Sequence, residues 1–383
     1  MENGFFDPFT KFTSDVVDNV TNAVFNNGSD LHRRTATPRI DLPLDLFAHT
    51  DVQTEWWYYT GHCETESKKR FGFELAFFKR RTDLDKFGIV PLRLIANPMY
   101  AAHFAISEIG RKKFQYDHLR SFGSMFDLQA KMSEEEFLIE LGPWSVKGDG
   151  DDHILHATFS DGLVFDARLH SQKPAVLHGL DGSGVSERDK VARSHHFSFT
   201  RMDVSGTIKK NGKAEEFKGV GWMDREFGTW ETGHWDWFSI QLEDETELML
   251  YHLRDLNNGR REFSHGRFIR EDGSSQYLSN DDFELTATGE WTSPKTGAVY
   301  PSGWHVSVPK LQIDLDVSPM FEHQELDTRG TSMVIYWEGA CEVKGTKKGR
   351  KVKGNSYVEL VGYDLSHQNP SLLSFFLGKS FQV

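Results

Sequence analysis

FGFELAF, residues 71–77, places Phe71, Phe73, Leu75 and Phe77 on one side of an extended chain and Gly72, Glu74 and Ala76 on the other. Side chains of a strand alternate between two faces, so this period of two predicts a half-buried β-strand. Ile154, His156 and Thr158 begin a second such run, and others follow over 195–209, 235–253, 264–271, 303–317, 333–345 and 351–363. DGSG at 181–184, KNGK at 210–213, LNNG at 256–259, EDGS at 271–274 and TKKGRK at 346–351 are turn signals between them. Many short strands joined by Gly, Asn and Asp turns predict a closed or nearly closed antiparallel barrel or sandwich, an all-β fold without βαβ units.

Outward from these strands the pattern changes. Phe9, Phe12, Val16, Val17, Val20 and Val24 recur at helical spacing, which predicts a short amphipathic N-terminal helix over 9–24, followed by a polar linker over 26–42. That helix reads as packed on the body; as a lid or a peripheral membrane contact it lacks a basic face. Residues 81–98 carry two prolines and predict a loop or short helix, and 171–194 predicts a long loop. A chain of 383 residues exceeds what one core usually serves, so two domains are expected, 45–228 and 229–383, after a helix and linker over 1–44.

Charge and cysteine usage narrow the function classes. With 44 basic against 57 acidic residues the formal charge is −13, which repels phosphate backbones and excludes nucleic acid as a natural partner. Cys63 and Cys341 are far apart in sequence and predict free, buried thiols of a reducing compartment. No stretch approaches the roughly 18 apolar residues of a membrane span, and the N-terminus lacks a signal-peptide pattern, so a cytoplasmic location is expected.

Aromatic residues make up 13% of the chain and cluster with carboxylates: Glu55 to Tyr59 (EWWYY), Gly221 to Gly228 (GWMDREFG), Trp235 to Phe238 (WDWF) and Tyr336 to Gly339 (YWEG). Alternation puts Trp235 and Trp237 on one face, and Tyr336 and Glu338 on a face opposite Trp337. A carboxyl walled by aromatic rings loses solvation, so its pKa rises and it stays protonated as a general acid. Such an acid could protonate an alkene while indole faces stabilise the cation. Asp224, Glu226 and Glu338 are the candidate acids; Trp56, Trp57, Trp222, Trp235, Trp237, Tyr336 and Trp337 are the candidate ligand walls. Against this, Asp224, Glu226, Glu338 and Glu359 could simply pair with Arg225, Arg254 or Arg201 at a domain interface.

Nucleotide, redox and hydrolase motifs are absent: no phosphate-binding loop, GxGxxG opening a helix, HExxH, CxxC or GxSxG elbow. Among 17 histidines, His195 and His196 face opposite ways in a strand and no ligand spacing is visible, so no metal and no cofactor are expected.

In order, EWWYYTGH (55–62), KPAVLHG (173–179), GWMDREFG (221–228), GHWDWFSIQL (233–242), LMLYHLR (248–254), YWEGACEVKG (336–345) and YVELVGY (357–363) resemble the hydroxyneurosporene synthase, or carotenoid 1,2-hydratase, superfamily of lipocalin-like proteins. The resemblance spans roughly 45–365 and implies two tandem lipocalin-like β-barrels with an apolar cavity for an isoprenoid, polyene or lipid-like molecule. It also implies cofactor-independent acid chemistry on such a substrate, by a lyase or isomerase that hydrates, isomerises or cyclises it. The hydratase branch carries an HNW-like tripeptide where this chain has Arg225-Glu226-Phe227, and a Tyr-x-Asp where it has Tyr251-His252-Leu253. These departures place the chain nearer the AttH-like branch. Two other readings stand beside catalysis: a carrier of a hydrophobic metabolite, and aromatic clusters that only build a domain interface.

Overall fold

The structure is a computed structural model; it describes residues 40–82, 86–87, 90–91, 98–123, 128–179, 185–187, 193–229, 234–254 and 261–364. The expected helix over 9–24 lies outside the described residues. Helix among them consists of three-residue 3-10 turns at Leu44–Leu46, Ile109–Arg111 and Pro309–Leu311, and the rest of the regular structure is strand.

Ten strands carry the argument below: Thr54–Thr65 (β1), Arg70–Arg80 (β2), Met99–Glu108 (β3), Arg193–Lys210 (β4), Lys213–Thr229 (β5), His234–Leu242 (β6), Glu247–Arg254 (β7), Arg261–Ile269 (β8), Ile335–Lys347 (β9) and Arg350–Val361 (β10). One 13-stranded antiparallel sheet runs from Lys113–Ser121 through β3, β2, β1, β5 and β4 and on through five shorter strands to Ala130–Met132. It curls until the strands at 99–108 and 113–121 meet the one at 138–141. A 10-stranded sheet runs from Ser275–Ser279 through β8, β7, β6, β10 and β9 to Glu284–Ala287. The result is two near-closed antiparallel barrels.

Each barrel has its own hydrophobic core. Trp57, Tyr59, Phe73, Leu75, Phe77, Phe104, Trp144, Phe165 and Phe199 belong to the first core. Phe238, Leu250, Trp304, Leu315, Trp337 and Val358 belong to the second. A third and fourth cluster, including Tyr58, Trp222, Trp237, Met249, Tyr357 and Tyr336, pack where one sheet meets the other.

That contact corrects the half-buried reading of 71–77, since all seven residues are buried. Phe71, Phe73, Leu75 and Phe77 face the first core, and the other set faces the second sheet. Gly72 is required there: a Cβ would lie 2.6 Å from the Tyr357 hydroxyl and 2.8 Å from the Ala340 methyl. Polar ties cross the same contact. Gln241 donates to the Thr200 and Gly221 carbonyls, and Lys173 and Arg201 both reach the buried Glu247.

Two loop expectations also change. Within 171–194, Val176–Leu177 and Val185–Glu187 pair with the N-terminal part of β4, which runs past its neighbour Val164–Ser171 and leaves backbone groups that adjoining chain can satisfy. Within 81–98, Lys86–Phe87 and Val90–Pro91 form a two-stranded ribbon. No helix of the described residues is long and apolar enough to cross a membrane.

Candidate functional site

A cavity of about 230 Å³ opens between the two sheets rather than inside either barrel. The first sheet contributes Trp56 and Tyr58 from β1, Phe78 from β2, His103 from β3, His196 from β4, and Asp224 and Glu226 from β5. The second contributes Trp235 and Trp237 from β6, Tyr251 from β7, His265 from β8, Tyr336 from β9, and Glu359 from β10. Strand alternation decides the membership. Trp56 and Tyr58 share a face with their cross-strand partners Glu226 and Asp224, while Trp57 and its partner Arg225 point into the first barrel.

The structure therefore divides the residues expected from sequence. Asp224, Glu226, Trp56, Trp235, Trp237 and Tyr336 come together on the cavity wall. Trp57 does not: it packs in the first core, donates to the Leu46 carbonyl at 2.7 Å and lies under the Arg225 guanidinium. Trp337 does not either, since it sits inside the second barrel and donates to the Glu322 carbonyl at 2.6 Å. Trp222 stands one row back, donating to Asp224 Oδ1 at 2.6 Å and meeting the Trp237 ring edge-on. Glu338 is likewise behind the wall, fully buried, with Tyr58 donating to its Oε1 at 2.7 Å.

The arginines proposed to neutralise these carboxylates are engaged elsewhere. Arg225 pairs with Glu55 at 2.6 Å, Arg254 with Asp236 at 3.1 Å, and Arg201 with Glu247. Burial consequently dominates the electrostatics of the site. Glu359 is pushed up to about 7 by loss of solvation, helped by the Asp224 and Glu226 charges and opposed by the Trp235 indole N–H, which donates to its Oε2 at 2.7 Å. Glu74 is pushed up to about 8, chiefly by burial. Glu338 is held well above the carboxylate range by burial and by the Glu359 and Glu74 carboxyls.

Around Asp224 a hydrogen-bonded group forms that sequence spacing concealed. Ser198 and Trp222 donate to Oδ1, His196 Nε2 lies 3.1 Å from Oδ2, and His178 Nε2 lies 2.7 Å from the Ser198 hydroxyl. Burial and the neighbouring His196 and Arg267 hold His178 far below its usual range, so it is neutral. Potential ligand atoms of His178, His196 and Asp224 lie within 4.8 Å of one another, a set that could hold a divalent cation. Here the Asp224 oxygens serve Trp222, Ser198 and His196 instead.

Among the site residues that the sequence reading did not select are Glu359, Tyr58, His196 and Tyr251, with Phe78, His103 and His265 beside them. Parity along EWWYY would have separated Tyr58 from Trp57, and in YVELVGY it puts Tyr357, Glu359 and Val361 on one face. Nothing in the sequence brings His178 beside His196.

Chemically, the site is an aromatic cleft holding one carboxyl balanced between its two protonation states and a second carboxyl coupled to histidine. Comparison with known proteins agrees with this architecture. A model of the AttH-like family matches residues 33–363, and the chain belongs to that family. The AttH protein of Nitrosomonas europaea has a similar structure, with a TM-score of 0.74 and 26% identity over 86% of this chain and 99% of that one. Kievitone hydratase of Nectria haematococca shares the fold at a TM-score of 0.64 and 15% identity, over 85% of this chain and 94% of that one. In sequence, the kievitone hydratase of Fusarium solani subsp. phaseoli is 27% identical over 172 residues, 42% of this chain and 46% of the relative, so the match spans about half of that protein.

Proposed function

We propose that the protein is an acid-base enzyme that hydrates, isomerises or cyclises a hydrophobic, alkene-bearing small molecule in the cavity between its two sheets. The observation that carries this reading is Glu359, a half-buried carboxyl on an aromatic wall whose pKa of about 7 leaves it substantially protonated at neutral pH. In this reading Glu359 protonates the alkene, and Trp56, Trp235, Trp237 and Tyr58 face the cation that results. Asp224, steadied by Trp222 and Ser198 and adjacent to His196, then takes the proton released as water, or an internal nucleophile, adds. The proton transfers before and after the addition are ones that these side chains can carry. The hydratase relative supports the reaction class, and the aromatic lining supports an isoprenoid, polyene or other apolar substrate. Glu226 lines the same cavity.

The test is turnover in isotopically labelled water. Kievitone and simple prenylated phenols serve as first probes, with mass spectrometry reading oxygen uptake or an isomerised product. We expect conversion by the native protein and a loss of at least about a hundredfold in E359Q, the usual scale of general acid catalysis. Conversion unaffected by E359Q and D224N overturns the assignment.

A further inference from the structure

A catalyst that gives a proton from Glu359 and takes one at Asp224 ends each turnover with the proton on the wrong side of the cavity. The structure offers a path between them. Asp224 and Tyr58 are cross-strand partners on β5 and β1, both facing the cavity. The Tyr58 hydroxyl crosses to the second sheet, 2.7 Å from Glu338 Oε1. Glu338 and Glu359 are in turn cross-strand partners on β9 and β10. Directly opposed residues in an antiparallel pair share one face with Cβ atoms about 5 Å apart. Asp224, Tyr58, Glu338 and Glu359 thus follow one another from the first sheet to the second, with a hydrogen bond between Tyr58 and Glu338 and cross-strand pairing on either side of it.

We propose that Tyr58 and Glu338 are a proton-return relay, carrying the proton gained by Asp224 back to Glu359 without passage through solvent. This rests on the acid-base reading above. The transfer balances. Asp224 gives its proton to the Tyr58 oxygen, Tyr58 passes its own to Glu338 Oε1, and Glu338 releases the one it held to Glu359. Tyr58 and Glu338 end as they began, Asp224 is again a carboxylate and Glu359 again an acid.

Three features fit a carboxyl that stays neutral in the resting protein. Glu338 is fully buried, and its Oε2 has no hydrogen-bond partner among the described residues. An ionised oxygen left in that position would be costly, whereas an unpaired carbonyl oxygen costs far less. The groups facing it are Tyr58 from β1, Glu74 from β2, Tyr336 and Cys341 along β9, and Glu359 and Tyr357 from β10, all of them acids. Glu74 makes a parallel contact, accepting from Tyr336 at 3.1 Å, but Tyr336 turns towards His103 rather than towards the Asp224 side.

Infrared difference spectroscopy on the substrate-free protein tests the relay directly. We expect a neutral-carboxyl C=O band that persists at pH values where Glu359 has ionised, is lost in E338Q, survives in E74Q and changes frequency in Y58F. Kinetically, E338Q and Y58F slow turnover of the probe substrate, their double variant is no slower than either, and small buffer acids restore the rate. A persistent band missing from the native protein, or unmoved by Y58F, overturns the relay, as does turnover unchanged in both single variants. Should E338Q fail to fold, Y58F carries both arms. Failure of the acid-base reading looks different: no conversion by the native protein, with the carboxyl bands in place.

Discussion

Glu338 and Glu359 stand directly opposite each other on adjacent antiparallel strands, a fully buried carboxyl beside a half-buried one on the same face. Like charges so placed destabilise a sheet, and in a dry environment at least one must keep its proton. The fold thus stores acid in the shared wall of two barrels, and the consequences can be measured.

The first concerns the pH profile. Because Glu226 raises the pKa of Glu359 and the Trp235 N–H lowers it, the two variants E226Q and W235F should move the alkaline limb of activity in opposite directions. With Glu359 as the proposed acid, activity should need its protonated form and fall as pH rises through about 7 in the native protein. E226Q brings that fall to lower pH and W235F to higher pH, which a rate profile reads directly. Shifts in the same direction would exclude Glu359 as the acid.

Stability should depend on pH through the same carboxyls. Glu359 at about 7 and Glu74 at about 8 both lie above their ordinary value of 4.5, so the unfolded chain releases protons that the folded protein keeps. Folding free energy is then lost as pH rises, by up to about 1.4 kcal/mol per pH unit for each such group. His62 and His153, lowered from 6.5 to about 4, act oppositely, adding stability as pH rises towards 6.5. Above pH 6.5 the carboxyls are therefore left to dominate. Urea midpoints should decline from there to pH 8, and less steeply in E74Q.

A structural ion pair gives a contrasting case. Glu55, fully buried, takes Arg225 at 2.6 Å and Lys79 at 2.9 Å, and its pKa is lowered to about 2 despite burial. Its contribution is complete above its ordinary 4.5 and is lost as pH falls through about 2. E55A leaves two buried cations uncompensated and should cost roughly 3–5 kcal/mol in denaturant unfolding. R225K should also destabilise, because the guanidinium additionally reaches the Phe47 carbonyl at 2.7 Å and stacks on Trp57.

Ligand charge should matter as well. Trp56, Trp235, Trp237, Asp224 and Glu226 around one cavity favour positive charge over neutral polarity. A tertiary-amine analogue of an apolar alkene should bind about tenfold more tightly than its neutral hydrocarbon counterpart, equivalent to about 1.4 kcal/mol. E226Q should narrow the gap, as calorimetry would show.

Much of the fold was legible in short-range pattern. Alternation such as Phe71, Phe73, Leu75 and Phe77 reports burial, and a strand buries what its neighbours cover, so the all-β architecture and its barrels follow from local chemistry. The same parity sorts Glu338 from Trp337 and, applied to EWWYY, would have sorted Trp56 from Trp57. What sequence could not supply is the partner of each outer face. Gly72, Glu74 and Ala76 read as solvent-facing because nothing in the chain says that a second sheet, more than 250 residues away at Tyr336, Ala340 and Tyr357, packs over them. The cavity, the neutral carboxyls of Glu338 and Glu74, and the meeting of His178 with His196 and Asp224 all arise from that packing. Their protonation is set by desolvation and by charges brought near from distant strands, and both come into being only when the two sheets close on each other.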